Sequence, residues 1–384
     1  MNQIPLNRPT LSSFGKVRLQ SVIDSGWWTL GKQVEELEKE FALYIGADHA
    51  IAVSSCSAGL HMAMMALDSK NRIMYTTPLT FCSTINAHLH AGGTRIHFID
   101  VGEDQNINVD LLEEDIKSMG GWGVIVPVHF AGKACDMDRI VKIAKDTHSY
   151  IVEDCAHAVE TTYKGYHMGT HGHIGVFSFN PTKNVCAPEM GMVVTNSEAA
   201  AKYIRRMRLH SMSSDVFERI KKPGNYDITD LGFKYNPTDI EAMFALDSLF
   251  KIGSNWLKRK TMYNRYTEVF EELEKTGKFN GFRTHVFESS RNIHALHLYN
   301  IYIGNRDDFI LKMNFNNICC GIHYKPVHLH SYYKDRFSPA YLEKAEFIGK
   351  HTVSLPMGPA FTTDEVDHIM KTVKELLNGG VYLI

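Results

Sequence analysis

The chain has no apolar run approaching the roughly 20 residues that a membrane-spanning helix needs. Its opening stretch, MNQIPLNRPTLSSFGKVRLQ, has no apolar secretory core. Neither a membrane nor a secretory signal is therefore expected. It also lacks an excess of either charge. Lys and Arg total 41 against 43 Asp and Glu, a net charge of −2. That balance argues against nucleic acid or an anionic surface as the main partner. Cysteine is sparse and unpatterned: there are seven, an odd number, with no C-x-x-C pair. A disulfide framework or zinc ribbon is excluded on that pattern, and a reducing cytoplasm fits it. The pairs His88/His90, His171/His173 and His328/His330 have no third and fourth ligand close by in sequence, so no metal site is expected. No G-x-x-x-x-G-K-[ST] run occurs. The glycines Gly169, Gly172 and Gly175 have the wrong spacing for a dinucleotide fingerprint and precede a strand instead of following one. Linkers of Gly/Ser or Pro type and internal repeats are also missing.

What is present is a chain of 384 residues, 44% hydrophobic, enough for one large domain and a smaller one. Short apolar runs at 49–54, 72–76, 95–99, 123–128, 150–154, 174–179 and 191–195 read as strands. Helical patterns at 57–68, 81–91, 109–118, 136–147 and 197–210 lie between several of them. Strands spaced by helices predict an α/β domain with a mostly parallel sheet, over residues 1–240. The character changes near residue 237. A long amphipathic run at 238–275, broken at Gly253, precedes a strand-like 295–303, a helix, GIHYKPVHL (321–329) and a closing helix at 362–377. This order suits a smaller α+β domain over 241–384, with a site between the two.

Four features carry chemistry, each with a mundane alternative. Asp154 ends the apolar strand of IVEDCAHA, where parallel sheets bind ligands; it could equally be a helix cap. Lys183 follows an apolar strand and the turn Asn180-Pro181-Thr182. A lysine held there can be desolvated, its pKa depressed and its amine freed for Schiff-base chemistry, although most loop lysines are simply solvated. Ser55-Cys56-Ser57-Ala58-Gly59 opens a helix with Ser57 as its hydroxyl cap, and exposed N–H groups at such a start attract phosphate. Phe81, in TTPLTFCST, could cover a planar ring or pack in the core. Pyridoxal 5′-phosphate (PLP) needs a lysine, an acid for its ring nitrogen, a phosphate cradle and a ring cover. Here cradle, cover, acid and lysine follow in that order, each at a predicted strand end, the acid 29 residues before the lysine.

These residues lie in motifs through which the chain resembles the DegT-type sugar nucleotide aminotransferases, of aspartate-aminotransferase-like fold (fold type I). The motifs include SGWWTLGKQVEELEKEFALYIG, AVSSCSAGLHMAM, TTPLTFCSTINA, VPVHFAGKACDMD, IVEDCAHA, FSFNPTKN, GMVVTN, LGFKYNPTDIEA, GIHYKPVHLH and SLPMGPAFT, nearly the length of the chain. The resemblance implies that Lys183 carries the cofactor and moves protons. It implies that Asp154 pairs with the ring nitrogen, that His157 touches the ring hydroxyl and that Phe81 stacks on the ring. Ser57, the Ala58 backbone and Ser178 would hold the phosphate. Lys234 would contact the phosphate of a partner subunit in a homodimer with shared sites, and His323 and Tyr324 would contact a nucleotide-linked keto sugar. Glutamate is the implied amino donor. The run Pro188-Glu189-Met190-Gly191 departs from the family's Gly-Glu-Gly-Gly, which bears on the loop path and its sugar contacts, and Cys56 stands where glycine is common. Related dehydratases carry histidine in place of the lysine, so Lys183 argues against that activity. Nothing resembling a DNA-binding motif or basic patch supports a non-catalytic PLP- or sugar-binding regulator.

Overall fold

The computed structural model describes residues 3–213, 224, 226–283, 289, 291–337, 342–379 and 382–384. Its main sheet has seven strands: β1 (His49–Val53), β2 (Ile73–Thr76), β3 (Arg95–Phe98), β4 (Gly123–Val126), β5 (Tyr150–Asp154), β8 (Ile174–Ser178) and β9 (Gly191–Thr195). Two short strands, β6 (Thr162–Tyr163) and β7 (Tyr166–His167), form a hairpin between β5 and β8. The spatial order is β1-β9-β8-β5-β4-β2-β3. Pairings from β8 through β3 are parallel, and β9 runs antiparallel to both its neighbours. This is the expected mostly parallel α/β sheet.

Helices cover both faces, which is why the strands read as continuous apolar runs instead of alternating ones. The two-residue period shows in where the side chains go. Ala50 and Ala52 of β1, Ile151 of β5 and Met192 and Val194 of β9 enter one core; Ile51, Val53, Val152 and Val193 enter the core on the other face. The helix Lys32–Ile45 starts at Gly31, which has no side chain to cap it. Asp239 supplies the cap from afar, accepting from the N–H groups of Gly31 (2.9 Å), Gln33 (3.2 Å) and Val34 (3.1 Å). Three orphan donors are thereby satisfied, and the N-terminal segment is tied to the helix Asp239–Phe250, which adds Ala242, Met243, Leu246 and Leu249 to the first core.

A separate apolar core lies further along the chain. The antiparallel pair β10 (Tyr299–Tyr302) and β11 (Thr352–Leu355) is packed by the helices Ile252–Lys275, Arg306–Phe315 and Thr363–Leu377. A Thr362/Glu365 capping box starts the closing helix. Several boundaries differ from expectation, the helix expected at 197–210, which ends at Met207, and the strand expected at 123–128, which ends at Val126, among them. The long amphipathic run breaks at Lys251, whose N–H turns back to Ser248, while Gly253 lies inside the second helix. The strand expected at 295–303 shortens to Tyr299–Tyr302, because Ala295 donates across to Gly132 (3.1 Å). The helix expected from 57 begins at Cys56.

Candidate active site

The parallel strands deliver their carboxyl ends to one cavity of about 540 Å³. Its walls come from the start of the helix Cys56–Ala66, the Phe81 turn, the end of β5, the loop after β8 and residues 322–324. Ser57, Phe81, Asp154, His157, Ser178, Lys183, His323 and Tyr324 all line it.

Asp154 closes β5 and is 4% exposed. One carboxylate oxygen accepts from the Thr84 hydroxyl (2.8 Å) and the other from the Ala156 N–H (3.1 Å). Burial pushes its pKa above the ordinary range, against the pull of those two donors and of the Lys183 charge. A buried carboxylate with neutral hydrogen-bond donors on both oxygens is the complement of a cation placed in the cavity. Its neighbour Glu153 points to the opposite face, as strand alternation requires. There it accepts from Gly169, His171 and Gly172 N–H groups (2.8, 2.9 and 2.6 Å) and contacts His129 Nε2 (3.1 Å). His129, Glu153 and Cys155 approach one another closely enough to suggest metal ligands. His129 Nδ1 accepts from Cys135 N–H (3.2 Å), so Nε2 carries the proton toward Glu153 and their contact is already a hydrogen bond.

Lys183 sits on a turn built by its predecessors. The Asn180 side chain accepts from Thr182 N–H (3.2 Å) and hydroxyl (3.0 Å), and the Lys183 N–H returns to the Asn180 carbonyl (2.8 Å). Asn7 bonds the Thr182 carbonyl (3.0 Å), anchoring the turn from the N-terminal segment. The lysine is half-buried at the cavity edge, and desolvation lowers its pKa to about 8 despite attraction from Asp154 and Glu189.

The cradle differs in one detail from the sequence reading. Ser55 is the cap, its hydroxyl accepting from Ala58 N–H (3.1 Å). Ala58 is buried and its N–H is committed to that bond, whereas Ser57 is exposed to the cavity in the first turn. Phe81 is 59% exposed and faces Tyr324, with ring centroids 6.3 Å apart. His157 Nδ1 accepts from Ala131 N–H (3.3 Å), which leaves Nε2 to carry the proton toward the Tyr324 hydroxyl (3.0 Å). Burial and Lys183 hold His157 well below the usual histidine range, so it is neutral. His323 contacts the Ser354 hydroxyl (2.7 Å) and is lowered by burial to about 3.

Lys234 is not in this cavity; it is exposed on the surface. Its neighbours Phe233 and Tyr235 stack on each other at 4.9 Å and pack against His61, and the Tyr235 carbonyl accepts from Ser54 N–H (2.7 Å). The lysine is therefore displayed on a well-anchored segment beside the cradle. In the departing loop, Met190 is fully buried in the first core and its carbonyl takes the Phe179 N–H (2.8 Å). The methionine bulk stays out of the cavity, and Glu189 lines it instead, bonded by Asn180 (3.0 Å).

Sequence reasoning missed Thr84 and Ser55. Thr84 lies three residues after Phe81, one helical turn on, and its buried hydroxyl reaches Asp154. Ser55 could have been chosen over Ser57 from its three-residue spacing to Ala58. A larger groove, about 750 Å³, runs between the helix Ile252–Lys275 and residues 358–367 but contains none of these groups. In the cavity, a buried acid, an amine of lowered basicity, an exposed ring and a helix start together fit a phosphorylated aromatic aldehyde with a cationic ring nitrogen.

The comparisons agree with that chemistry. A protein of Methanocaldococcus jannaschii is 36% identical over 390 residues, covering 98% of both chains. The spore coat polysaccharide biosynthesis protein SpsC of Bacillus subtilis is 34% identical, covering 97% of each. Spr1654 from Streptococcus pneumoniae, solved in a PLP form, superposes with a TM-score of 0.86 at 25% identity over 99% of each chain. Residues 10–374 match a single family along almost the whole sequence, and the chain belongs to the DegT/DnrJ/EryC1/StrS aminotransferase family.

Proposed function

We propose that this chain is a PLP-dependent aminotransferase that converts a nucleotide-linked keto-deoxy sugar to an amino sugar, with glutamate as donor. The observation that carries the reading is the pairing of Lys183 and Asp154 on one cavity, the amine lowered to about 8 and the carboxylate buried. When bound, PLP supplies an electron sink for charge developing on the substrate carbon. Asp154 would keep the ring nitrogen protonated by its charge. Lys183 would anchor the cofactor and move the proton at the substrate carbon, a task suited to a base that titrates near the working pH. Phe81 would cover one ring face and His157 would donate to the ring hydroxyl. Ser57 and Ser178 would meet the phosphate, and His323 and Tyr324 would meet the sugar. The family supports a sugar as acceptor, and the SpsC likeness supports a role in polysaccharide assembly.

The cradle contributes dipoles and hydroxyls but no full positive charge. We infer that Lys234 supplies it to a partner's phosphate, making the protein a homodimer with shared sites. A cytoplasmic setting suits a nucleotide-sugar substrate and seven unpaired thiols. The direct test is incubation with glutamate and UDP-, dTDP- or GDP-linked keto sugars, read by mass spectrometry. Replacement of the keto oxygen by an amine, with matching 2-oxoglutarate, is expected for one of them. If enzyme loaded at Lys183 aminates none, the substrate class is wrong.

A further inference from the structure

Directly behind Lys183 lies a buried polar cluster that the chemistry above does not use. Asn184 is 7% exposed, Glu160 5%, His297 4% and Arg259 1%. The Asn184 amide donates to both Glu160 oxygens (3.0 and 2.9 Å) and to the Ala295 carbonyl (2.8 Å). Its oxygen meets His297 Nδ1 (3.0 Å), which must be the protonated nitrogen because an amide oxygen can only accept. The amide's main-chain carbonyl takes a further bond from Ser248 (3.3 Å). Every polar atom of this side chain is thus used, and its orientation follows from its partners. The His297 ring lies 4.4 Å from that of His157, at an angle of 33°. Burial raises the Glu160 pKa to about 7, against the pull of Arg259 on the long helix of the second core and of the Asn184 amide.

The cluster joins three parts of the chain at one point. Glu160 follows β5, Asn184 is the residue after the cofactor lysine, and Ala295 and His297 lead into β10. A network serving only stability would need no particular place. This one is built on the residue adjoining the reactive amine and against the ring of His157. We propose that Asn184 is a positioning residue which, through Glu160 and the His297 segment, holds the Lys183 loop and the His157 ring in register with the cavity. The proposal rests on Lys183 being the residue that takes the cofactor. Asn184 touches no reacting atom; it acts through the main chain of its neighbour and through His297.

The test uses the full-length apoenzyme at pH 8. The rate of covalent capture of added PLP is followed by absorbance, with borohydride trapping and peptide mapping to locate it, and thermal unfolding of each apoprotein is recorded alongside. Asn184→Ala and Asn184→Asp lose the donors to Glu160 and are expected to slow capture at Lys183 by about tenfold or more. The exchange variant Asn184→Asp with Glu160→Gln restores a donor–acceptor pair with reversed polarity and keeps a partner for His297, losing only the donor to the Ala295 carbonyl. It should recover to within about threefold of wild type even where the melting temperature stays low. Glu160→Gln alone keeps the shape, loses one acceptor and gives a smaller slowing, so it carries the test should Asn184→Ala fail to fold. Wild-type capture rates in Asn184→Ala would overturn the proposal. So would slowing that tracks melting temperature across all variants with no recovery in the exchange variant. If wild-type protein traps PLP on a different lysine, the functional reading fails first and the positioning role falls with it.

Discussion

Replacing Lys183 by methionine should make the apoenzyme more stable at neutral pH while abolishing its activity. The amine is held in a site that lowers its pKa from 10.5 to about 8. At about 1.4 kcal/mol per tenfold change, that corresponds to a charge penalty of about 3 kcal/mol at most, reduced by whatever solvent reaches a half-buried group. Below pH 8 the lysine is protonated in both folded and unfolded chains, and the penalty is present in full. Between about 8 and 10.5 the unfolded chain keeps a proton that the folded chain has released, so stability rises with pH. From pH 7 to 9.5 the gain attributable to Lys183 is about 2 kcal/mol. Methionine is unbranched and of similar length, so it fills the space without the charge. Denaturant unfolding of wild-type and Lys183→Met apoproteins at both pH values isolates the term, since other alkaline groups cancel in the difference. If the two proteins show the same change in stability between pH 7 and 9.5, the amine is not desolvated as argued and its readiness as a base at neutral pH has no basis.

Asp154→Asn keeps the shape but removes the charge proposed to pair with the ring nitrogen. Losing one partner of a buried pair costs about 3–5 kcal/mol, so turnover should fall by about two to four orders of magnitude with the circular dichroism unchanged; near-normal turnover would mean that another residue protonates the ring. Thr84→Val deletes one donor to Asp154 without changing volume. Its carboxyl pKa should rise further, moving the acid limb of the pH–rate profile to higher pH and lowering the rate about tenfold, and an unmoved limb would show that the hydroxyl does not tune the acid. For Lys234, an inactive Lys183→Ala subunit mixed with an inactive Lys234→Glu subunit should regain part of the activity, because one of two shared sites then holds both native residues. Continued inactivity after subunit exchange has been demonstrated would remove Lys234 from its neighbour's site.

The strand ends were legible because their chemistry is local. Tyr150-Ile151-Val152 is apolar on both faces and stops at acids, and Ile174 to Phe179 runs into a proline turn and a lysine. Period-two alternation then sends Glu153 and Asp154 to opposite sides, and only one of them can reach the cavity. Helix starts were legible to within a residue. The ambiguity between Ser55 and Ser57 arose because two hydroxyls flank Cys56, and the backbone settled on the one whose oxygen reaches an N–H three residues on.

Contacts between distant positions could not be read from spacing. Thr84 meets Asp154 across 70 residues, and Asn184 meets His297 across 113. Each side chain has an ordinary reading as a helix surface or loop residue, and only packing brings it to its partner. The Pro188–Met190 departure shows the same division. The sequence departure bore on the loop path and its sugar contacts, and the fold turns Met190 into the core and Glu189 toward the cavity. Local apolar patterning and the order of reactive residues therefore carried the fold class and the principal pair. Which atoms satisfy one another, and so how charged Asp154 stays and how basic Lys183 remains, was decided by desolvation in the assembled tertiary structure, because burial is a property of everything packed around a group and not of its neighbours in the chain.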